Sequence, residues 1–405
     1  MKVTKKAGVA TVLACAVFAG AFVGSCGKKQ ADPYAGVDKS YLNGIDEPLA
    51  GADVQVVGFD LDVTVDLIRM LGCKTVRFRI PKSFLSSPEQ YDVQMYEYLK
   101  DAEKKLNDAG VSLIGQAMLF PAYTDFRPDS ANSAPIPSDP AYGEWLQAVS
   151  DMWSTLTSLF PDVGYWEMGN EFNAATFFHP NGYIPSEGSL MDGIGGFDAE
   201  SQVEVVTDYM FYATKGIHAG SKKAKSVMPG LSPMNGSLVT VKNFVADVYD
   251  RIESGNAPYG EWKSTEADDY FEVLCWHPYA SRVDESWLSA NDAIYRVAID
   301  HGDEGKKVFF TEFGFSDGGY DDKEEVQIGY METAYRYCLE KMPYVERLCA
   351  FRLYECAYAE VWGGINEVHF GYFREPDTVN GFSPKEKAFA LQKLYGGEGD
   401  LTKYQ

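Results

Sequence analysis

The chain has 405 residues, with 36 Lys and Arg against 59 Asp and Glu, a formal net charge of −23. So acidic a body repels nucleic acid and anionic membrane surfaces and favours neutral substrates over polyanions. Composition is ordinary for a globular protein apart from 14% aromatic residues. Five histidines lie scattered without HxH or HExxH spacing, so no metal is expected, and neither a GxGxxG nor a Walker loop occurs in a nucleotide-binding context.

At the N-terminus, Lys2, Lys5 and Lys6 form a basic region ahead of the small and apolar run Ala7 to Val23, which is too short and too weakly flanked for a membrane span. Val23-Gly24-Ser25-Cys26 follows and resembles the lipobox of bacterial lipoproteins, in which the cysteine becomes the lipidated first residue. The expected organisation is an export signal over residues 1–25, a lipidated Cys26 and polar tether over 26–40, and one folded domain over 41–405. That places the protein outside the cytoplasm, anchored to a bacterial membrane. Loss of the signal takes three positive charges off the total of −23 and leaves −26. Beyond Cys15 and Cys26, the remaining cysteines are Cys73, Cys275, Cys338, Cys349 and Cys356, an odd set without a CxxC pair and not a disulfide framework. Cys275 and Cys349 sit in apolar runs and read as small core residues.

Short β-rich runs then alternate with amphipathic stretches. Strands are expected at Asp53–Gly58, Thr75–Ile80, Val111–Ala117, Val163–Gly169, Ser226–Gly230, Glu272–His277, Lys307–Glu312 and Arg347–Tyr354. The first is the weakest, and residues 38–52 could hold the real one. Helices are expected at Leu61–Leu71, Gln90–Ala109, Tyr142–Leu159, Ala199–Ala219, Val239–Ile252, Glu285–His301, Lys323–Lys341 and Ser383–Leu394. Eight such units without a dividing linker predict a single-domain α/β fold, a (β/α)8 TIM barrel. The segments after strands 3, 4 and 8 are long, and length of that kind in a compact domain is usually functional.

Two strings carry chemistry: Trp166-Glu167-Met168-Gly169-Asn170-Glu171 and Phe310-Thr311-Glu312-Phe313-Gly314. Each sets a glutamate at the end of an apolar run. Glu171 and Glu312 lie 141 residues apart, three βα units, which puts both over one mouth of a closed barrel. Paired carboxylates so placed suit glycosidic bond cleavage. The pattern resembles the clan A (GH-A) retaining glycoside hydrolases, which carry the acid/base after an Asn on strand 4 and the nucleophile on strand 7. Arg79 at the end of strand 2, His277-Pro278-Tyr279 at the end of strand 6, and the run from Gly381 to Ala390 extend the resemblance over most of residues 75–395.

The resemblance implies a double displacement that needs no cofactor. Glu312 would attack as the anion, held so by Arg79 and the Tyr279 hydroxyl. Glu171 would begin protonated, favoured by burial and by the like charge of Glu312, and Asn170 would donate to the sugar 2-hydroxyl. His277 would contact the nucleophile or the sugar. Carboxyl separation should be about 5–5.5 Å. Many relatives carry a tryptophan at the end of strand 8 as the floor of the sugar site. Here the segment reads Phe351-Arg352-Leu353-Tyr354-Glu355, so Tyr354 or Trp362 replaces it, or the floor is built differently. Trp362, in a polar loop, suits a stacking platform, whereas Trp166 and Trp276 read more readily as core. Glu167 is expected on the opposite side of its strand from Glu171.

Two rival readings remain from other classes. One is a glycan-binding protein on an inactive barrel. The other is an esterase using Ser316 in Gly314-Phe315-Ser316-Asp317-Gly318, although a loop rather than a helix follows that motif. The expected partners are a carbohydrate substrate and, through Cys26, a membrane; nucleic acid is not expected, and the protein should be a monomer. Sugar identity, linkage and endo or exo action are not legible.

Overall fold

The computed structural model of the protein describes residues 49–121, 132–174, 177–180, 199–318, 324–357, 365–375 and 382–405. The export segment, Cys26, the tether and Trp362 lie outside these.

Eight strands close into a parallel barrel in chain order: β1 (Ala50–Val54), β2 (Thr75–Arg79), β3 (Ser112–Gln116), β4 (Tyr165–Glu167), β5 (Lys225–Val227), β6 (Val273–Cys275), β7 (Lys307–Phe313) and β8 (Val345–Ala350), with β8 pairing back onto β1. Helices separate or follow them: α1 (Leu61–Leu71), α2 (Val93–Asp108), α3 (Tyr142–Leu159), α4 (Ala199–Gly220), α5 (Leu238–Glu253), α6 (Glu285–Asp300), α7 (Glu324–Glu340) and α8 (Glu386–Tyr395). This is a (β/α)8 barrel. The first strand begins three residues before the expected position, inside the alternative window. Val56-Val57-Gly58 instead leads into the cap of α1, where Asp60 accepts a hydrogen bond from the Val63 amide at 3.0 Å. The last strand stops at Ala350, four residues early, and the chain turns there through a cis Phe351–Arg352 peptide.

Outward side chains of the strands form an apolar layer against the helices. Trp166 is fully buried between Trp153 of α3 and Phe160, at ring distances of 6.0 and 6.4 Å. Trp276 donates its indole N–H to Asn291 of α6 at 2.8 Å. Both tryptophans are core. Cys73, Cys275, Cys338 and Cys349 are buried free thiols, and Cys356 is a half-buried one.

Barrel interiors are usually filled by branched apolar side chains. This one is polar. Asp53, Arg77, Glu167, Thr311 and Glu312 are all buried within it. A one-residue bulge on β7 explains how Thr311 and Glu312 both face inward. Phe310 pairs with Leu348 and Phe313 with Ala350, so three steps on β7 match two on β8.

The end of α8 secures the closure between β8 and β1. Tyr395 donates to the Gly51 carbonyl at 2.9 Å, and Tyr335 of α7 donates to the Leu348 carbonyl at 2.7 Å, the two phenols touching each other. Tyr395→Phe removes one buried hydrogen bond and leaves a carbonyl short of a donor. It should cost about 1–3 kcal/mol in urea unfolding while leaving activity intact.

Candidate active site

The side chains of the candidate site lie on the barrel strands or just past their carboxyl ends. Arg77 lies at the centre, wholly buried. Its Nε and Nη2 donate to the Glu167 carboxylate at 2.7 and 2.6 Å, Nη2 to Asn170 Oδ1 at 2.8 Å, and Nη1 to Asp53 at 3.1 Å and to Glu312 Oε1. Arg79, one pleat further along β2, grips Asp53 through Nε at 2.9 and 3.0 Å and Glu312 Oε1 through Nη2 at 2.7 Å. The other oxygen of Glu312 accepts from Tyr279 at 3.1 Å. Burial alone would raise the Glu312 pKa. His277, Arg77 and Arg79 outweigh it and hold the carboxyl below its usual value of 4.5. Burial and the negative charge of Glu312 push the Tyr279 phenol well above its usual range, so it stays a donor.

Glu171 reaches the same cavity by an unusual route. Gly169 has φ +139°, and Glu171 itself has φ +51°, a left-handed conformation uncommon for a side-chain-bearing residue. Its amide donates to the Gly230 carbonyl at 2.6 Å. The carboxyl then meets His277 Nδ1 at 2.9 Å, while His277 Nε2 lies 3.1 Å from the Thr311 hydroxyl. His277 Nδ1 is also 3.7 Å from Glu312. Burial would lower the imidazole pKa, but the carboxylates of Glu312 and Glu171 raise it above its ordinary 6.5. Carboxylate oxygens of Glu171 and Glu312 and a ring nitrogen of His277 all lie within 4.8 Å of one another. Gly230 makes room for this, because a methyl group there would overlap His277 Nε2 and crowd Glu167.

Of the residues expected from sequence, Glu171, Glu312, Asn170, Arg79, His277 and Tyr279 come together. Tyr354 does not. Its hydroxyl bonds Thr64 of α1 at 2.8 Å, and its ring packs between Phe59 and Phe382, because the turn after Ala350 sends it outward. Phe351 is the aromatic that meets the partners of Glu312: Arg79 lies 5.6 Å over its ring, and Tyr279 packs edge-on at 6.1 Å. Trp362 lies outside the described residues. Glu167 is not on the far side of its strand but points to the barrel axis, bonded to Arg77 and to the Gly230 amide at 3.1 Å. An offset of four residues preserves the face of a strand rather than reversing it.

The sequence reading missed Arg77 and Asp53. The signal for Arg77 was present: in Arg77-Phe78-Arg79 the two arginines are two apart, so if one faces inward both do. The Ser316 hydroxyl donates to the Asn366 carbonyl at 2.5 Å and accepts from the Gly318 amide at 3.2 Å; among the described residues no histidine bonds it.

Among the described residues, two groups have the makeup of cation sites: Glu171, His277 and Glu312, and Asp317, Glu355 and His369. In the first, both guanidiniums already occupy Glu312. In the second, the Lys385 ammonium bonds Asp317 at 2.7 Å and contacts Glu355, so a side-chain cation fills the position.

No family model matches the sequence, and no curated protein matches it. Solved structures do. The chain is similar to the β-glycosidase BGL167, at 16% identity over 84% of this chain and 86% of that one, TM-score 0.54. It is similar to a family 39 glycoside hydrolase from the gut symbiont Bacteroides cellulosilyticus WH2, at 15% identity over 87% and 65%, TM-score 0.57. ZgEngAGH5_4 gives 15% identity over 86% and 96%, TM-score 0.54.

Removal of one guanidinium should raise the Glu312 pKa toward its usual value. Activity that needs the anion then fails at higher pH. Arg79→Met should therefore move the acid limb of the kcat/KM profile upward by about one unit or more. The stability that ionised Glu312 contributes is complete above its unfolded value near 4.5 and is lost as pH falls through the depressed folded value. Thermal melts between pH 3 and 7 should thus show less acid sensitivity in Glu312→Gln than in wild type. The similar structures share the closed eight-stranded parallel barrel with this chain, and that fold is what the likeness establishes.

Proposed function

We propose that the protein is a retaining glycoside hydrolase acting on β-linked sugars of poly- or oligosaccharides. The observation that carries this reading is the approach of one carboxylate oxygen of Glu171 and one of Glu312 to within 4.8 Å, with Glu312 held anionic by His277, Arg77 and Arg79. A retaining pair stands about 5–5.5 Å apart, whereas an inverting pair leaves about 6.5–9.5 Å for a water. The neighbour described as a β-glycosidase supports the same class and the β linkage, and the one described as a family 39 glycoside hydrolase supports the class.

In the first step Glu312 attacks the anomeric carbon. Its Oε1 already takes two guanidinium donors and Oε2 only the Tyr279 hydroxyl, so Oε2 keeps the free lone pair. The glycosidic C–O bond breaks, and the leaving oxygen takes the proton of Glu171. In the second step water gives a proton to Glu171 and bonds the anomeric carbon while the ester to Glu312 breaks. Glu171 thus serves as the acid of the first step and the base of the second. Arg77 has only donors, so Asn170 must turn Oδ1 to it, at 2.8 Å, which leaves the amide N–H groups to donate to a sugar 2-hydroxyl.

We further propose that residues 41–405 form one catalytic domain, and that the protein is exported and lipid-anchored through Cys26. Support comes from the basic and apolar leader and Val23-Gly24-Ser25-Cys26.

An oligosaccharide and aryl-glycoside panel tests the activity. Glu312→Ala should lose at least about 10³-fold in kcat. It should regain turnover with azide on an activated aryl glycoside and release an α-glycosyl azide. Wild-type activity in Glu312→Ala, or a β-glycosyl azide released from that variant, would contradict the reading.

A further inference from the structure

A third acid sits on a segment packed against the candidate site, without a part in the two-step chemistry. The short helix Ile365–Val368 follows β8 and carries Glu367, which is half-buried. Its backbone carbonyl accepts from Arg352 Nη2 at 2.6 Å, and the Arg352 guanidinium lies 5.4 Å from the centre of the Phe351 ring. Three residues on, Phe370 packs 5.4 Å from Phe351 and 5.9 Å from Tyr279, the phenol bonded to Glu312. The helix is therefore tied on both sides to the aromatic wall of the site. Burial raises the Glu367 pKa; Arg352 works against this, and the charges of Glu312 and Glu171 add to the rise. Tyr279 feels Glu367 in turn. The Glu367 carboxyl thus shares the field of the cavity with both catalytic acids. Among the described residues it accepts no hydrogen bond.

A third acid beside Glu312 adds repulsion and half-buries a polar group, both unfavourable without a donor for it. A neutral sugar brings such donors as hydroxyls. We propose that Glu367 is a specificity-determining residue whose carboxyl accepts a hydrogen bond from a hydroxyl of the sugar unit bound against Phe351, one that takes no part in the reaction. The same charge turns away sugars that carry a carboxylate, so the site takes neutral sugars. The proposal rests on the hydrolase reading above.

The test uses Glu367→Gln, an isosteric change, and the aryl β-glycoside that wild type cleaves fastest, together with its 3-, 4- and 6-deoxy analogues. On the parent glycoside kcat/KM should fall about 10- to 100-fold. On one deoxy analogue, already a poor substrate for wild type, variant and wild type should agree within about twofold. Unchanged kinetics on the parent would overturn the proposal. So would an equal loss on the parent and all three analogues, the mark of a merely structural role. Should Glu367→Gln fail to fold, Glu367→Asp enters the same comparison. Wild-type protein that cleaves no glycoside fails the hydrolase reading itself; cleavage by wild type with an indifferent Glu367 fails only this inference.

Discussion

The arrangement depends on charge held inside a closed barrel. Two guanidiniums from one strand, Arg77 and Arg79, face three buried carboxylates, Asp53, Glu167 and Glu312. Burying ions is costly, and a buried pair seldom adds net stability over an apolar packing of the same shape. The interior accepts that cost in place of the branched apolar side chains usual for the fold. In return it fixes one carboxylate as an anion where water cannot screen it. The parity of β2 makes this compact: arginines two apart reach different depths of one axis, the deeper one uniting Glu167, Asn170 and Asp53 with Glu312, the upper one clasping Asp53 and Glu312 from above.

Backbone irregularities then aim the reacting groups. A bulge on β7 turns both Thr311 and Glu312 inward, so one strand supplies the His277 partner and the candidate nucleophile together. After β4, Gly169 and a left-handed Glu171 turn the second carboxyl over the mouth. Gly230, lacking a side chain, lets His277 slide in beside Glu167. None of these contributes chemistry. Each places a group of the candidate site, and the first two depart from ideal strand geometry, as expected where local preference gives way to the demands of a site.

The sequence revealed the fold well because the alternation of apolar strands with amphipathic helices recurs eight times and each helix has a wide apolar face. Leu61–Leu71 and Tyr142–Leu159 emerge with the expected bounds. The positions of Glu171, Glu312, His277 and Tyr279 were legible because each lies at or just past the end of an expected strand. What was not legible depends on direction rather than position. Tyr354 looked close to the mouth along the chain, but the turn at Phe351 sends it under α1 and leaves Phe351 in its place. Glu167 was set on the wrong side by a parity argument misapplied across four residues. Arg77 was overlooked because an arginine in the middle of a barrel strand contradicts the apolar interior the fold leads one to expect, although its spacing from Arg79 already gave its face.

In the proposed mechanism Glu312, held anionic by His277, Arg77 and Arg79, bonds the sugar carbon. Incubation with a 2-deoxy-2-fluoro glycosyl fluoride of a turned-over sugar, followed by peptide mass mapping, tests it most directly. One stoichiometric adduct should form, on the peptide that contains Glu312 and on that carboxyl. A label on Glu171 or Glu367, or turnover that inverts the anomeric centre with no adduct, would contradict it.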